Sequence, residues 1–213
     1  MSPHVTLIGS THADFPTALQ NAPLTAPISQ IWVIGNLELL KLPLLGLLCS
    51  TRCPGNIILR TYDLALALRE AGVSVISGFH TPMEKECLEV LLRGQPPVII
   101  CPARSIHNMR VPGAWRKSLD NHCCLILSPF AAQYRRPTTD IAEQRNRFVA
   151  TLAETLLVAH AAPGSKTERL CAELAALGKR IYTLDLPENA HLMQHGVVGK
   201  SPRSLVAAVL QKE

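Results

Sequence analysis

Several features that would assign this sequence to a membrane or secreted class are missing from it. The longest apolar run, Leu39 to Cys49, is interrupted by Lys41 and Pro43 and is too short to cross a bilayer. The chain does not open with a basic segment followed by an apolar stretch, so no secretion signal is visible. We therefore expect a cytoplasmic protein with no membrane partner.

The patterns that hold metals, disulfides and common cofactors are missing as well. The seven cysteines are an odd number without regular spacing, and most lie in apolar segments, which favours reduced thiols. No Cys-x-x-Cys pair supplies the spacing of metal ligands. The Gly-x-Gly-x-x-Gly fingerprint of dinucleotide binding is absent. We expect no metal and no cofactor.

The composition indicates one compact domain. Charged residues make up only 17% of the chain and apolar residues 47%, which argues against an extended disordered protein. A length of 213 residues suits one well-filled α/β domain. The first 30 residues contain four prolines and little periodicity. We expect an extended arm over residues 1–30 and a single domain over residues 31–213.

Short runs rich in Val, Ile and Leu alternate with helical patterns along this domain. This alternation predicts a Rossmann-like α/β fold, with a mainly parallel sheet and helices on both faces. Predicted strands lie near 31–34, 44–49, 73–77, 98–101, 123–127, 156–160 and 180–184. Predicted helices cover 56–70, 83–93, 113–121, 140–154, 167–177 and 201–212. In such sheets ligands bind beyond the carboxyl ends of the strands, so the loops after the strands are the candidate sites.

The net charge of +5 is concentrated in one third of the chain. Residues 101–147 hold eight basic and three acidic residues, and this difference equals the whole net charge. The basic residues are Arg104, Arg110, Arg116, Lys117, Arg135, Arg136, Arg145 and Arg147. Clustered positive charge predicts a basic face for an anionic partner, and an ordinary solvated surface is the alternative.

Two of the strand-to-helix loops carry groups that suit a phosphate. Ser50, Thr51 and Arg52 precede a predicted helix, whose N-terminus favours anions. After the next strand, Gly78 allows a ligand to approach the backbone closely. Phe79 offers a stacking surface there, although a core position suits it as well.

The helix predicted at 140–154 carries two arginines that point in different directions. Arg145 shares one stripe with Ile141 and Phe148, whereas Arg147 points away from it. An inward guanidinium needs an anion or several acceptors, because a buried unpaired charge is costly. The partner of Arg145 is therefore either a protein carboxylate or a bound phosphate.

A fourth candidate segment follows the strand predicted at 156–160. Gly164, Ser165, Lys166 and Thr167 resemble a phosphate cradle, but the first glycine of a Walker loop is absent. An anion nest or a simple helix cap fits this segment better than ATP hydrolysis does.

Taken in order, these segments resemble the DprA/Smf (DNA-processing protein A) family. Ser50-Thr51-Arg52 stands where Gly-Ser-Arg is usual, and Ser77-Gly78-Phe79 resembles the family's Ser-Gly-Leu. Arg145-Asn146-Arg147 matches its Arg-Asn-Arg, and Gly164-Ser165 falls at its Ser-Gly-Ser loop. Pro82-Met83-Glu84 departs from the Gly-Ile-Asp that is usual there.

The resemblance covers roughly residues 14–197 and implies a domain that binds single-stranded DNA, forms a homodimer and assists a RecA-type recombinase. The residues alone do not separate a DNA strand from a nucleotide, because both present phosphates and a base. A nucleotide-sensing or antitoxin-like domain with a toxin partner is therefore an alternative. A LOG-type nucleoside-monophosphate phosphoribohydrolase is another, although Pro163 to Glu168 matches its loop only in part. We expect no enzymatic activity.

Overall fold

The computed structural model describes residues 4–21, 23 and 26–211, which form nine strands and seven α-helices. The strands are β1 (Thr6–Gly9), β2 (Gln30–Gly35), β3 (Leu45–Cys49), β4 (Val75–Ser77), β5 (Val98–Ile100), β6 (Cys124–Ser128), β7 (Thr155–His160), β8 (Ile181–Leu184) and β9 (Val198–Lys200). The helices are α1 (Gly55–Glu70), α2 (Pro82–Leu92), α3 (Gly113–Asp120), α4 (Thr139–Leu152), α5 (Lys166–Ala176), α6 (Ala190–Met193) and α7 (Pro202–Gln211).

All nine strands belong to one sheet, in the order β1-β2-β6-β5-β4-β3-β7-β8-β9. The pairs β1–β2 and β2–β6 are antiparallel, and every other neighbouring pair is parallel. The seven parallel strands therefore end at the same edge of the sheet. The predicted fold class, a mainly parallel Rossmann-like sheet, is confirmed.

Helices cover both faces of the sheet because its central strands are apolar on both sides. Every residue of β3, β6 and β7 is buried. Along β3, Leu45 and Leu47 belong to a core cluster with α1, α2 and α7, whereas Leu48 belongs to a second cluster with α4 and α5. This alternation is the two-residue period of a strand, and it places α4 opposite α1.

The structure also contains elements that the sequence patterns did not predict. The strand β1 lies within the predicted arm, and β9 and the short α6 follow β8. The helix predicted over 56–70 begins one residue earlier, at Gly55, and its N-cap is Pro54. Positions 1–3, 22, 24 and 25 of the arm lie outside the described residues, so its boundary stays a prediction. None of the described helices is both long and apolar enough to cross a membrane.

Candidate anion-binding edge

Five loops meet at the edge of the sheet where the parallel strands end, and we call them the carboxyl edge. They follow β3, β4, β5, β6 and β7 and comprise residues 50–54, 78–81, 101–112, 129–138 and 161–165. These strands are contiguous in the sheet, so their loops adjoin one another. Ser50, Gly78 and Gly164, which come from three separate sequence segments, therefore lie at one edge, as the sequence predicted.

The loop after β3 is anchored by Ser50 and presents Arg52 to solvent. The Ser50 amide donates to the carbonyl of His160 at 2.8 Å, and its hydroxyl accepts from the amide of Ala162 at 3.0 Å. Ser50 is buried, whereas Thr51 and Arg52 are exposed. Ser50 thus holds two loops of the carboxyl edge together, and Arg52 is the residue of this loop that is free to meet a phosphate.

Arg145 faces inward as predicted, and within the described residues its hydrogen-bond partner is one backbone carbonyl. Its side chain is 3% exposed, and Nη1 donates to the carbonyl of Cys101 at 3.4 Å. A Cβ on Gly78 would lie 0.6 Å from that nitrogen, so the guanidinium packs directly on the glycine. Burial raises the pKa of the Cys101 thiol to about 12, although the Arg145 charge opposes the rise.

No carboxylate among the described residues forms an ion pair with Arg145, so the predicted protein carboxylate is not its partner. Its Nε, which is buried, has no hydrogen-bond acceptor within the described chain. An uncompensated guanidinium behind the ends of β4 and β5 favours an anion at this part of the edge.

Phe79 does not offer its ring to the edge, in contrast to the stacking role considered from the sequence. The residue has a φ of 46°, which is uncommon for a side chain of this size, and it is 5% exposed. Its ring belongs to the core cluster beneath α1 and α2. The turn in the backbone directs the ring inward, because burial of the apolar surface favours that position.

Glu84 is a site residue that the candidate list from the sequence did not include. Its carboxylate is 2% exposed and accepts three backbone amides: Cys49 at 3.0 Å, His80 at 2.8 Å and Thr81 at 3.3 Å. Thr81 accepts from the Glu84 amide in return, which completes a capping box. The Thr-x-x-Glu spacing was the signal for it. Glu84 fixes the loop after β4 against the end of β3.

The segment at Gly164 is a helix cap rather than a phosphate cradle. The Gly164 amide donates to the Glu168 carboxylate at 2.6 Å, and the Ser165 hydroxyl accepts from the Glu168 amide at 3.1 Å. The Ser165 amide donates to Ala162 at 3.0 Å. The Glu168 carboxylate therefore already accepts the Gly164 amide, which is not free to donate to a phosphate.

The remaining predicted cations are neutralised between α4 and α5. Arg147 lies 2.6 Å from Glu173, and Lys166 lies 2.8 Å from Glu143. The hydrogen bond and charge of Arg147 hold the pKa of Glu173 below its ordinary value. Half-buried Asn146 and Thr167 lie in the same two helices. The two ion pairs link α4 to α5, so the charges of Arg147 and Lys166 are less available to a ligand than that of Arg52.

A cavity of about 290 Å³ lies between the loops after β5 and β6, and we call it the arginine cavity. It is lined by Arg104, Ser105, His107, Asn108, Met109, Ala132 and Arg135, without a carboxylate. The amide of Ser105 donates to the carbonyl of Tyr134 at 2.7 Å, which joins the two loops. Two guanidinium groups in a lining without a carboxylate favour an anion in this cavity.

Half of the basic residues of the central segment lie on loops of the carboxyl edge. Five arginines on its loops form no ion pair with another described residue: Arg52, Arg104, Arg110, Arg135 and Arg136. The charge count of residues 101–147 was the sequence signal for four of them. A smaller cavity of about 120 Å³, which includes Glu154 and Arg180, lies at the opposite edge.

One cluster of titratable groups adjoins the edge. The Glu168 carboxylate lies 3.7 Å from Nε2 of His191 and 3.7 Å from Nε2 of His195. The two histidines are four residues apart, and this spacing places them on the same side of a helical turn. Within the described part of the chain, no group of three or more His, Cys, Asp or Glu residues is arranged to hold a metal ion.

A Rossmann-like sheet with unpaired arginines and a cationic cavity at its carboxyl edge is typical of α/β domains that bind anions. The chain belongs to the family described as DNA recombination-mediator protein A, whose model matches residues 6–198. This match confirms the resemblance inferred from the sequence. A search of curated proteins gives no match.

Solved structures of similar fold include two proteins of this family. DNA processing protein A from Streptococcus pneumoniae superposes with a TM-score of 0.77 at 19% identity, over 95% of this chain and 73% of that chain. DNA processing protein A from Helicobacter pylori, whose structure addresses its single-stranded DNA binding mode, superposes with a TM-score of 0.76 at 20% identity. The superposition covers 100% of this chain and 99% of that chain. A molybdenum cofactor binding protein from Rippkaea orientalis superposes with a TM-score of 0.56 at 15% identity, over 79% of this chain and 96% of that chain. These likenesses show the fold.

Proposed function

We propose that this protein binds single-stranded DNA in recombination or DNA processing, and that the carboxyl edge holds the phosphates of the strand. The observation that carries the proposal is the arginine cavity, in which Arg104 and Arg135 face a common space with no acidic neighbour. Exposed Arg52 lies on a loop of the same edge, and the uncompensated guanidinium of Arg145, which comes from α4, packs on Gly78 at that edge. Membership of the DNA recombination-mediator protein A family supports the assignment of the anion as a DNA strand.

The shape of the edge favours a single strand over a duplex. Reading a major groove requires a helix or a two-stranded ribbon that can enter it, whereas the carboxyl edge consists of loops. Contacts to phosphates through arginine carry little sequence information. We therefore expect binding that depends on salt and discriminates weakly between bases.

We also propose that the protein is not a phosphoribohydrolase. Glu168, the acidic residue nearest to the LOG-type position, accepts the Gly164 amide and lies between two histidines. It is thus committed to holding its own loop. Incubation with nucleoside monophosphates should release no free base, and release that Glu168→Ala abolishes would contradict this proposal.

The homodimer and the RecA-type partner that the family resemblance implies are proposals too. Light scattering on the purified chain should give twice the monomer mass, and a single-chain mass would contradict the homodimer.

Fluorescence anisotropy with a labelled single strand, the matching duplex and a labelled mononucleotide tests the main proposal. At low salt the single strand should bind tightest, and binding should weaken at physiological salt. Equal affinity for duplex and single strand would overturn the preference. Tight binding of the mononucleotide alone would favour the nucleotide-sensing or antitoxin-like alternative.

A further inference from the structure

A second and larger cavity, of about 570 Å³, lies on the other side of the loop that follows β6. We call it the aromatic cavity. Its lining comprises Ala26, Pro27, Ile28, Ser29, Gln30, Trp32, Pro129, Phe130, Tyr134, Gln144, Arg147 and Phe148. Cavities of this size hold small organic ligands in many proteins.

The aromatic cavity and the arginine cavity are neighbours. The loop 129–138 contributes Tyr134 to the first and Arg135 to the second. The ring of Trp32, which lines the first, lies 5.4 Å from the ring of His107, which lines the second. A ligand can therefore place one part in each cavity across a single loop.

The lining combines flat apolar surfaces with groups that form hydrogen bonds. Tyr134 is 41% exposed and packs against Phe130 with ring centroids 5.9 Å apart, so a face of its ring remains open to a ligand. The side-chain amides of Gln30 and Gln144, both exposed, offer donors and acceptors. The charge of Arg147 is compensated by Glu173 at 2.6 Å, so the cavity does not select an anion.

An unpaired nucleobase has the matching chemistry, with flat faces that stack on aromatic rings and a polar edge that accepts and donates hydrogen bonds. We propose that the aromatic cavity takes an unpaired nucleobase whose phosphate lies in the arginine cavity. This inference rests on the proposed function and adds to it a site for the base. It makes Tyr134 the stacking residue in place of Phe79, whose ring is in the core.

Trp32 allows a direct test, because the chain has only two tryptophans and the other, Trp115, is replaced in a Trp115→Phe background. An oligothymidylate should quench Trp32 fluorescence in this background. An abasic oligonucleotide of equal length and phosphate count should bind through the arginines and quench Trp32 much less. Free thymidine monophosphate is a third arm, and quenching by it would show that the cavity also takes a base from a nucleotide in solution.

A matched pair of variants tests the stacking residue. Tyr134→Ala should weaken oligothymidylate binding by about fivefold or more, the lower end of what loss of one stacked base costs. Tyr134→Phe should keep the affinity, and Tyr134→Ala should leave abasic binding unchanged. Equal Trp32 quenching by both oligonucleotides, or an equal loss for both in Tyr134→Ala, would overturn the nucleobase site. Failure of both oligonucleotides to bind would instead refute the proposed function.

Discussion

The carboxylate of Glu84 holds two loops of the carboxyl edge, and its removal should destabilise the whole domain. Glu84→Ala leaves three backbone amides without their acceptor, in a position where the side chain is 2% exposed. An unsatisfied buried group costs about 1 to 3 kcal/mol. Some relaxation of the loop at His80 and Thr81 offsets part of this cost. We expect a loss of about 3 to 5 kcal/mol in the free energy of unfolding.

For a domain of this size, a loss of that magnitude lowers the melting temperature by about 6 to 20 °C. Urea unfolding followed by circular dichroism measures the free energy directly. Glu86→Ala is the matched control, because Glu86 is exposed on the same helix and should change stability by less than about 0.5 kcal/mol. If the free energy of unfolding of Glu84→Ala lay within about 1 kcal/mol of the wild-type value, the carboxylate would not hold the loops as we argue.

Two further predictions concern contacts around α4. Gly78→Ala should destabilise the protein by about 1 to 3 kcal/mol, because the new Cβ displaces the Arg145 guanidinium. Gly113→Ala is the control, because a Cβ there meets open space, and it should destabilise the protein less in the same thermal unfolding experiment. Arg147 lowers the pKa of Glu173, so their ion pair stabilises the fold fully at pH values above the ordinary carboxyl pKa. This stabilisation is lost as the pH falls through the lowered pKa. Glu173→Gln should therefore be less stable than wild type at neutral pH and equal to it in strong acid, and a constant difference in urea unfolding across pH would contradict this.

Most of the fold could be predicted from the sequence because the central strands are apolar throughout and glycine or proline interrupts the helical patterns between them. The run Leu44 to Cys49 is buried on both faces and reads as an internal parallel strand. The edge strands β1 and β9 were missed because they are short and partly exposed, so neither shows a period.

The candidate site was predictable in its location but not in its detail. The spacing of residues along α4 predicted that the Arg145 side chain points into the protein. The sequence does not show that its partner is the carbonyl of Cys101, which lies 44 residues earlier in the chain. The segment at Gly164 resembled a phosphate-binding loop because glycine and serine also occur in helix caps. The hydrogen bond from the Gly164 amide to Glu168 identifies it as a helix cap. The arginine cavity depends on Arg104 and Arg135, which are far apart in sequence and meet only because β5 pairs with β6.

The most direct test of the account is the salt dependence of single-stranded DNA binding by matched double variants. Each phosphate contact contributes about 0.7 to the slope of log affinity against log salt concentration. Arg104→Ala with Arg135→Ala should therefore lower that slope by about 1.4. Arg93→Ala with Arg180→Ala removes the same charge from exposed positions at the opposite edge and should leave the slope unchanged. An unchanged slope in the first pair, or an equal loss in both, would contradict the assignment of the carboxyl edge as the DNA site.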